Sequence, residues 1–402
     1  MNYVIIGNGV AGMSAAMTIR KQDAEGTINI LSAEPNPFYS RIRLIDYLAG
    51  EVSDEDIVIF KNAWYEKNAI VLRLGTHAER IDPKTKTVQL AGDKSLPYDR
   101  LLLATGGTPF RPPVDGMNLP FVHTLRTLAD ARRIRESAAR SHNVLVLGGG
   151  LLGIETAHAL SKAGNTVTVV EYFSRLLPRQ LDTAGAEILQ KALEQLGLNF
   201  VLNAKTKTLV DVSPRRGIEL QDGRFIAGDM IVVSAGITPD LKLLDGLPVK
   251  RGRGLVVNDL LKTGIPDIYA AGDLIEHRGV MYGIWAAAER QGKIAGANMA
   301  GAREEYSGTI PSNVLKVAGI DLMSAGDIDP DGKYRSVIEA DPEKGIYRKL
   351  VLAGDTLVGC ILCGNAEGKK EILSAIQEKK HLSSDTPLLR GKMIHGYRKQ
   401  NS

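Results

Sequence analysis

Short runs of hydrophobic residues recur along the chain, and most of them end at a glycine. The first run, "YVII" (residues 3–6), leads directly into "GNGVAG" and then into a segment rich in alanine and methionine. Similar runs, at 101–103, 144–147 and 230–233, also lead into glycine-containing segments. Short continuous apolar runs bounded by turn residues are typical of strands buried on both faces, as in parallel sheets. The pattern therefore predicts an α/β fold.

The first of these segments has the strand, glycine turn and helix order of a dinucleotide-binding unit. Gly7 permits the tight turn, Gly9 lets the backbone approach a pyrophosphate, and Gly12 lets the helix pack closely on the strand. The phosphate would lie at the positive N-terminus of the helix. A carboxylate is expected about 20 residues further on, where it accepts a hydrogen bond from a ribose hydroxyl. The sequence "TINILSAEP" is predicted to be a strand ending near Glu34, which fits this position.

The same pattern occurs a second time. Gly148, Gly150 and Gly153 follow the predicted strand at 144–147, and Glu171 ends the next predicted strand. Two such units in one chain indicate two bound dinucleotides.

The residues around Glu171 bear on which nicotinamide coenzyme is used. A carboxylate here hydrogen-bonds a free 2′-hydroxyl and repels a 2′-phosphate, so NADH is predicted over NADPH. Arg175 and Arg179 follow closely and could attract a phosphate instead, or could be solvated surface charges.

Two glycine-rich segments indicate where the chain crosses between domains. "LLLATGGTPFRPP" (101–113) and "GDMIVVSAGITPD" (228–240) each join an apolar strand to a turn. A nucleotide-binding domain interrupted by another, inserted at about 111–236, is therefore expected. Within "GIPDIYAAGDLIE", Asp273 follows Gly272 beyond a further strand, where its carboxylate could reach a ribityl hydroxyl or a water beside a phosphate.

Composition restricts the other possibilities. The chain has 402 residues, 44% hydrophobic and 24% charged, which suits a soluble globular protein of two or three domains. The formal charge of +4 is mild and its basic residues are interspersed with acidic ones, so no nucleic-acid partner is predicted. No apolar run approaches the roughly 18 residues of a membrane span. Two cysteines and the absence of a leader-like start predict a cytoplasmic protein, and no Cys and His set fits a metal site.

Several ordered motifs resemble those of the FAD-dependent pyridine nucleotide-disulfide oxidoreductase superfamily: "GNGVAG", "ATGG", "GGGLLGIE", "SAGITPD" and "IYAAGD". Together they cover nearly the whole chain. The segments "PFYSRIRLIDYLAG", "WYEKNAI", "LVVNDLLKTGIPDIYAAGD" and "IPSNVLKVAGIDLMSAGDI" are most similar to NADH:rubredoxin reductases and the related flavin modules of nitrite reductases. The resemblance implies FAD and NADH as cofactors and two Rossmann-like dinucleotide-binding domains with a small α+β C-terminal domain. The implied ranges are 1–110 with 237–315 for FAD, 111–236 for NAD(P)H, and 316–402 for the C-terminal domain.

The resemblance also implies which residues contact each cofactor. Those expected to contact FAD are Gly7, Gly9, Gly12, Glu34, Arg41, Thr105, Gly106, Gly272, Asp273 and Trp285. Those expected to contact the nicotinamide nucleotide are Gly148, Gly150, Gly153, Glu155, Glu171 and Gly236. A helix following "GIWAAAERQG" would point its N-terminus at the flavin pyrimidine, where backbone amides around Gly283 to Trp285 stabilise negative charge. For Trp285 itself a packing role is an equal alternative.

The segment that carries redox cysteines in disulfide-reducing relatives corresponds to about 38–50, and "FYSRIRLIDYLAG" contains none. No cysteine is therefore expected beside the flavin. Cys360 and Cys363 lie in "DTLVGCILCGN", which is predicted to be a strand. Positions three apart in a strand lie roughly 10 Å apart on opposite faces, whereas a disulfide requires Cα atoms within about 7 Å. Packed thiols are predicted.

The flavin is thus expected to carry the chemistry, with no catalytic side chain and hydride transfer from the nicotinamide. The predicted function is an NADH oxidoreductase that passes electrons to a small acidic carrier protein such as rubredoxin. Basic residues that could attract this carrier are Lys369, Lys370, Lys379 and Lys380. The alternatives are an NADH oxidase that reduces oxygen, an electron-input subunit of a larger reductase such as nitrite reductase, and a non-enzymatic flavin-bound redox sensor. The oligomeric state is left open.

Overall fold

The computed structural model describes residues 1–213, 215–310, 312–317, 319–382 and 393–394. The chain forms two compact units: the first comprises 1–43, 52–109 and 237–309, and the second comprises 44–51, 110–236 and 310–402. The C-terminal sheet falls in the same unit as the second glycine-rich turn, so the division into three domains stays a prediction.

The helices of the described residues are α1 (Val10–Gln22), α2 (Leu44–Leu48), α3 (Asn62–Lys67), α4 (Leu128–Ala138), α5 (Leu151–Lys162), α6 (Thr183–Gln195), α7 (Trp285–Met299) and α8 (Lys369–Gln377), with a short 3-10 helix at Lys242–Leu244. The strands of the first half are β1 (Asn2–Ile6), β2 (Thr27–Leu31), β3 (Ile70–Arg73), β4 (Ala78–Asp82), β5 (Thr87–Leu90), β6 (Lys94–Pro97), β7 (Arg100–Leu103), β8 (Gly107–Pro109), β9 (Val122–Thr124), β10 (Asn143–Leu147), β11 (Thr166–Val170) and β12 (Asn199–Val201). The later strands are β13 (Thr206–Val212), β14 (Arg215–Leu220), β15 (Phe225–Ala227), β16 (Met230–Val233), β17 (Ile237–Pro239), β18 (Leu255–Val257), β19 (Ile268–Ala270), β20 (Ile275–His277), β21 (Ser312–Val317), β22 (Ile320–Gly326), β23 (Arg335–Asp341), β24 (Ile346–Ala353), β25 (Thr356–Cys363) and β26 (Met393–Ile394).

The main sheet of the first unit is parallel, in the order β19-β7-β1-β2-β3. β1 is central and apolar, and Val4 and Ile5 on it are fully buried. The chain leaves β1 for β2 on one side and returns by way of β7 to the other side. Parallel strands arranged in this way open a crevice at their carboxyl ends, which is where nucleotides bind in such sheets. The first glycine turn lies at this position.

Two helices of the first unit pack unusually closely. Gly292 and Gly296 on α7 face α1, and a Cβ on either glycine would clash with the backbone oxygen of Ala11 or Ala15. The absence of side chains at these positions therefore allows α7 to approach the backbone of the helix that follows the first glycine turn.

The second unit repeats the parallel arrangement in the order β12-β11-β10-β16-β9. β10 is central, and the second glycine turn follows it. This repetition confirms the predicted α/β fold class of two doubly wound sheets.

The C-terminal sheet of the second unit is antiparallel, in the order β21-β22-β25-β24-β23-β26. Its central strand β25 contacts α8 and also α6. Because both helices pack against β25, its last five residues are all buried. This burial explains why the sequence of the strand is a continuous apolar run. The predicted strand containing both cysteines is confirmed.

Candidate dinucleotide sites

The first glycine turn has the geometry of a pyrophosphate cradle. Gly7 has φ +117°, a conformation that L side chains rarely adopt, and its N–H donates to the Leu31 carbonyl at 2.9 Å. A Cβ on Gly12 would clash with the Gly7 carbonyl. Gly9 precedes the first turn of α1 without a side-chain cap, and a Cβ there would meet nothing within 4 Å. Uncapped N–H groups beside open space suit an anion.

A buried polar atom beside this turn also fits a ligand. The hydroxyl oxygen of Thr105 is buried and has no hydrogen-bond partner among the described residues. The preceding residue, Ala104, donates its N–H to the Ile6 carbonyl at 2.8 Å, which fixes Thr105 next to the end of β1. Buried hydroxyls are normally hydrogen-bonded, so this group fits FAD, which would supply the missing partner. The adjacent Gly106 has φ +74°.

Glu34 is part of a small polar cluster. β2 ends at Leu31, so Glu34 lies in the loop beyond it. Its carboxylate accepts a hydrogen bond from the Tyr39 hydroxyl at 2.6 Å. It also forms an ion pair with the Arg41 guanidinium at 2.5 Å. Each carboxylate oxygen has a second lone pair, so a ribose hydroxyl can still bind there. Tyr39 was missed by sequence reasoning, because only the folding of this loop brings the phenol to Glu34.

Arg41 links this cluster to Asp273. Burial opposes the guanidinium charge, but Tyr39, Glu34 and Asp273 outweigh this effect, and the pKa of Arg41 lies above its ordinary value. The structure therefore brings residues from two distant sequence motifs into one electrostatic environment.

Gln291, a residue not singled out from the sequence, contacts the turn that carries Asp273. Gly272, with φ +85°, donates its N–H to the Gln291 side-chain oxygen at 2.8 Å. Gln291 is only 1% exposed. No sequence signal marks this residue, since only the packing of α7 brings its side chain to the turn.

The helix near Trp285 begins earlier than predicted. α7 starts at Trp285, inside the motif "GIWAAAERQG" rather than after it, and its first turn has no side-chain cap. The Trp285 ring is half-buried, and its centroid lies 6.2 Å from that of Phe38. Phe38 stacks on Phe60, and Phe60 stacks on Trp64. The structure thus places Trp285 in an aromatic cluster, and its contact with flavin stays a prediction.

The second glycine turn closely matches the first. Gly148 has φ +120° and donates its N–H to the Val170 carbonyl at 2.9 Å. A Cβ on Gly153 would clash with the Gly148 carbonyl, whereas a Cβ on Gly150 would meet nothing within 4 Å. Gly150 precedes α5 without a side-chain cap. The residues therefore fit the pyrophosphate of a second dinucleotide.

The Glu171 carboxylate binds backbone N–H groups of the second glycine turn and of its own loop. It is 5% exposed and accepts N–H hydrogen bonds from Gly149 and, at 2.8 Å, from Phe173. The carboxylate thus stabilises the glycine turn and places a negative charge beside it.

The two arginines that follow Glu171 differ in their environments. Arg175 donates to the backbone oxygens of Leu181 and Pro178, at 3.2 and 3.3 Å, so it braces its own loop. Arg179 is exposed.

The remaining predicted residues of the second site lie at its edges. Glu155 is half-buried on α5, and burial together with the nearby charge of Asp46 raises the pKa of its carboxyl to about 7. Gly236 is exposed with φ +108°, and its carbonyl accepts from the Phe110 N–H at 2.9 Å. This hydrogen bond joins the two chain segments that enter and leave the second unit.

The two cysteines are buried thiols. Cys360 packs in the hydrophobic core that includes Ile372 and Ile376 of α8, and Cys363 is outside that core. Burial raises the pKa of Cys360 to about 12 and that of Cys363 to about 11. Buried, protonated thiols are poor nucleophiles and poor metal ligands. Over the residues that the structure describes, no group of His, Cys, Asp and Glu could hold a metal ion, and no helix is long and apolar enough to cross a membrane.

Two parallel sheets, each with a glycine turn and an uncapped helix at its carboxyl edge, define a protein with two dinucleotide sites. The chain belongs to the pyridine nucleotide-disulphide oxidoreductase family, whose model matches residues 1–292. Residues 311–380 match the rubredoxin NAD+ reductase C-terminal domain. The family predicted from the sequence motifs is confirmed, and family membership implies FAD and NADH as cofactors.

Several individual proteins are similar to this chain over most of its length. The chain is 35% identical over 382 residues to the assimilatory nitrate reductase electron transfer subunit of Bacillus subtilis, covering 94% of this chain and 50% of that protein. It is 33% identical to the NADH-rubredoxin oxidoreductase of Clostridium acetobutylicum, covering 84% of this chain and 85% of that protein. The crystal structure of NADH:rubredoxin oxidoreductase from the same organism superposes with a TM-score of 0.81 at 28% identity, covering 96% of this chain and 97% of that one. The chain spans about half the length of the Bacillus relatives it matches.

Proposed function

We propose that this chain is an FAD-dependent NADH oxidoreductase that passes electrons to a small one-electron carrier protein such as rubredoxin. The observation that carries the proposal is the duplicated cradle. Gly9 and Gly150 each precede a helix without a side-chain cap and with open space beside them. One cradle suits the pyrophosphate of FAD and the other that of NADH.

In this proposal the chain binds and orients, and it supplies no acid, base or nucleophile. FAD, when bound, supplies the ability to accept electrons from NADH as a pair and to release them singly. Arg41 and Glu34 would orient the adenosine end of FAD, and the Asp273 carboxylate would accept a hydrogen bond from a hydroxyl of its ribityl chain. The N-terminal amides of α7 would stabilise negative charge on the flavin ring system.

The lack of a cysteine nucleophile favours a carrier protein over a disulfide as the electron acceptor. The segment at 38–50, which holds the redox cysteines of disulfide-reducing relatives, has none, and both cysteines of the chain are buried on β25. The relative from Clostridium acetobutylicum is named for rubredoxin.

NADH is proposed as the coenzyme because Glu171 keeps a carboxylate at the second cradle. Arg175, bound to backbone oxygens of its own loop, is not well placed for a 2′-phosphate, which leaves Arg179 as the main competitor.

The test is a panel of electron acceptors used with the purified, FAD-loaded protein and NADH. We expect one FAD per chain, faster flavin reduction by NADH than by NADPH, and rapid reduction of rubredoxin with slow reduction of oxygen. Binding of FMN instead of FAD would contradict the cofactor assignment. Oxygen turnover comparable to rubredoxin turnover would favour the NADH oxidase alternative.

A second candidate is electron input to a larger reductase. It is favoured by the match of nearly the whole chain to about half of a Bacillus protein named as an electron transfer subunit of nitrate reductase. Poor reduction of rubredoxin, with rapid reduction of a copurifying reductase partner, would support this function instead.

A further inference from the structure

Gln291 occupies a position from which it can control the turn that carries Asp273. Its side-chain oxygen accepts the Gly272 N–H at 2.8 Å, directly before Asp273 in the chain. Only the oxygen of a carboxamide can accept this hydrogen bond, so the Gly272 N–H fixes the orientation of the amide group.

The contact with Gln291 provides the hydrogen-bond acceptor for the Gly272 N–H in this turn. Ala271 donates its N–H to the Leu103 carbonyl at 3.0 Å, which ends the pairing of β19 with β7. Gly272 then leaves the sheet with φ +85°, and a short turn returns through the Ile275 N–H to the Gly272 carbonyl at 3.2 Å. Without Gln291 the half-buried Gly272 N–H would need another acceptor, and an N–H that is shielded from water and left without one is costly.

Gln291 is itself held rigidly. It lies on α7 next to Gly292, where α7 approaches the backbone of α1 so closely that a Cβ would clash. The same α1 begins at the first pyrophosphate cradle. Through α7, Gln291 therefore fixes the position of the Asp273 turn relative to α1, the helix that begins at this cradle.

We propose that Gln291 is a positioning residue for FAD, which holds the Gly272–Asp273 turn in register with α1 and α7. This rests on the proposed function, since it assigns a role toward the flavin cofactor. Gln291 need not touch FAD to act in this way. Its effect is on the placement of the Asp273 carboxylate.

The experiment measures the FAD affinity of the apoprotein by fluorescence quenching and the melting temperature of each variant. Gln291→Met keeps the length of the side chain but removes the strong acceptor, and we expect FAD affinity to fall at least tenfold. Gln291→Glu keeps an oxygen acceptor, so we expect affinity closer to that of the wild type than Gln291→Met. Rescue of FAD affinity by Gln291→Glu, at a melting temperature similar to that of Gln291→Met, is an effect that a purely structural role would not produce.

Asn298 provides a matched control two turns further along the same helix. It is 5% exposed, and its amide binds the backbone of Leu260 and Glu304. Asn298→Leu should lower the melting temperature while leaving FAD affinity nearly unchanged.

Three outcomes would overturn the proposal: wild-type FAD affinity in Gln291→Met, an equal loss of affinity in Asn298→Leu, or a loss of affinity in Gln291→Glu as large as that in Gln291→Met. A wild-type apoprotein that takes up no FAD would instead overturn the proposed function, and this assignment with it.

Discussion

At the scale of single residues, the carboxylates of the two candidate sites are held in place by hydrogen bonds and ion pairs within the protein. Glu34 binds Arg41 and Tyr39, while Glu171 accepts one backbone N–H from the second glycine turn and one from its own loop. A carboxylate fixed in this way has less freedom to lose when a ribose binds, so its position is prepared for the ligand.

Glu155 provides a pH-dependent prediction. Its pKa is raised from 4.5 to about 7 in the folded protein, so between these values the unfolded chain releases a proton that the folded chain keeps. Stability from this group is therefore fully present below pH 4.5 and is lost as the pH rises through 7. Glu155→Gln should be more stable relative to the wild type at pH 8 than at pH 4.5, by on the order of 1–2 kcal/mol after allowance for partial exposure.

Denaturant unfolding of both proteins at the two pH values measures this difference. Glu187→Gln, which removes one exposed carboxylate from α6, is the control. A stability difference between Glu155→Gln and the wild type that does not change with pH would contradict the assignment.

The cysteines provide the second prediction. The double variant Cys360→Ala, Cys363→Ala should keep near-normal turnover, because the thiols are buried, protonated and on opposite faces of a strand. Stability should fall by a few kcal/mol, since each change leaves a small cavity. Steady-state turnover and thermal unfolding separate the two effects. A loss of turnover above about tenfold, with folding and flavin content intact, would restore a redox role.

At the scale of elements, a buried ion pair joins the C-terminal sheet to the start of α6. Lys349 on β24 is 5% exposed and contacts the Asp182 carboxylate at 3.1 Å and the Asp329 carbonyl at 2.9 Å. The Tyr347 hydroxyl donates to the same Asp182 oxygen at 2.8 Å. Asp182 also caps α6 by accepting the Gly185 N–H at 3.0 Å. One carboxylate thus fixes a helix end and a strand at once.

The third prediction follows from this arrangement. Lys349→Met should destabilise the protein by about 3–5 kcal/mol, because it leaves the Asp182 charge without its buried partner. Lys207→Met is a matched control, since Lys207 pairs with Glu219 on an exposed strand surface, where a salt bridge contributes about 0–1 kcal/mol. Chemical denaturation measures both variants. Equal losses of stability in the two variants would show that the buried ion pair stabilises the protein no more than the exposed one.

At the scale of the whole molecule, the formal charge of +4 bears on the carrier protein. Opposite charges speed the encounter of two proteins, and salt screens this effect over about 8–10 Å. Lys370, Lys379 and Lys380 lie exposed at the ends of α8. Because we propose an acidic carrier protein, these residues are candidates for the surface that would meet it.

The fourth prediction concerns this encounter. The second-order rate of rubredoxin reduction should fall as ionic strength rises, whereas the rate of flavin reduction by NADH should change little. Lys379→Glu, Lys380→Glu should lower the carrier rate more than Lys84→Glu, Lys94→Glu, which changes the net charge equally at exposed sites of the small sheet β4-β5-β6. Stopped-flow kinetics at several salt concentrations test both statements. A carrier rate independent of salt would remove the electrostatic argument.

Local structure was predictable from nearby residues. The two strand–glycine–helix segments, the strand containing Cys360 and the fold class all follow from patterns within about 20 residues, because backbone conformation and close approach are set by neighbouring side chains. The start of α7 was predicted less well. Its first residues lack a capping side chain, so no local signal marks the boundary.

The sequence by itself determined that this chain forms two glycine cradles on parallel sheets, and that no cysteine lies in the segment at 38–50. Only the tertiary structure decided that Gln291 supports the Gly272 turn and that Lys349 meets Asp182, which are 167 residues apart in the chain. It also decided that the Glu171 carboxylate binds the Gly149 N–H of the second glycine turn. The physical reason is that such contacts depend on how finished elements pack against one another, and neither polar pairing nor burial between distant residues is encoded in any short stretch of sequence.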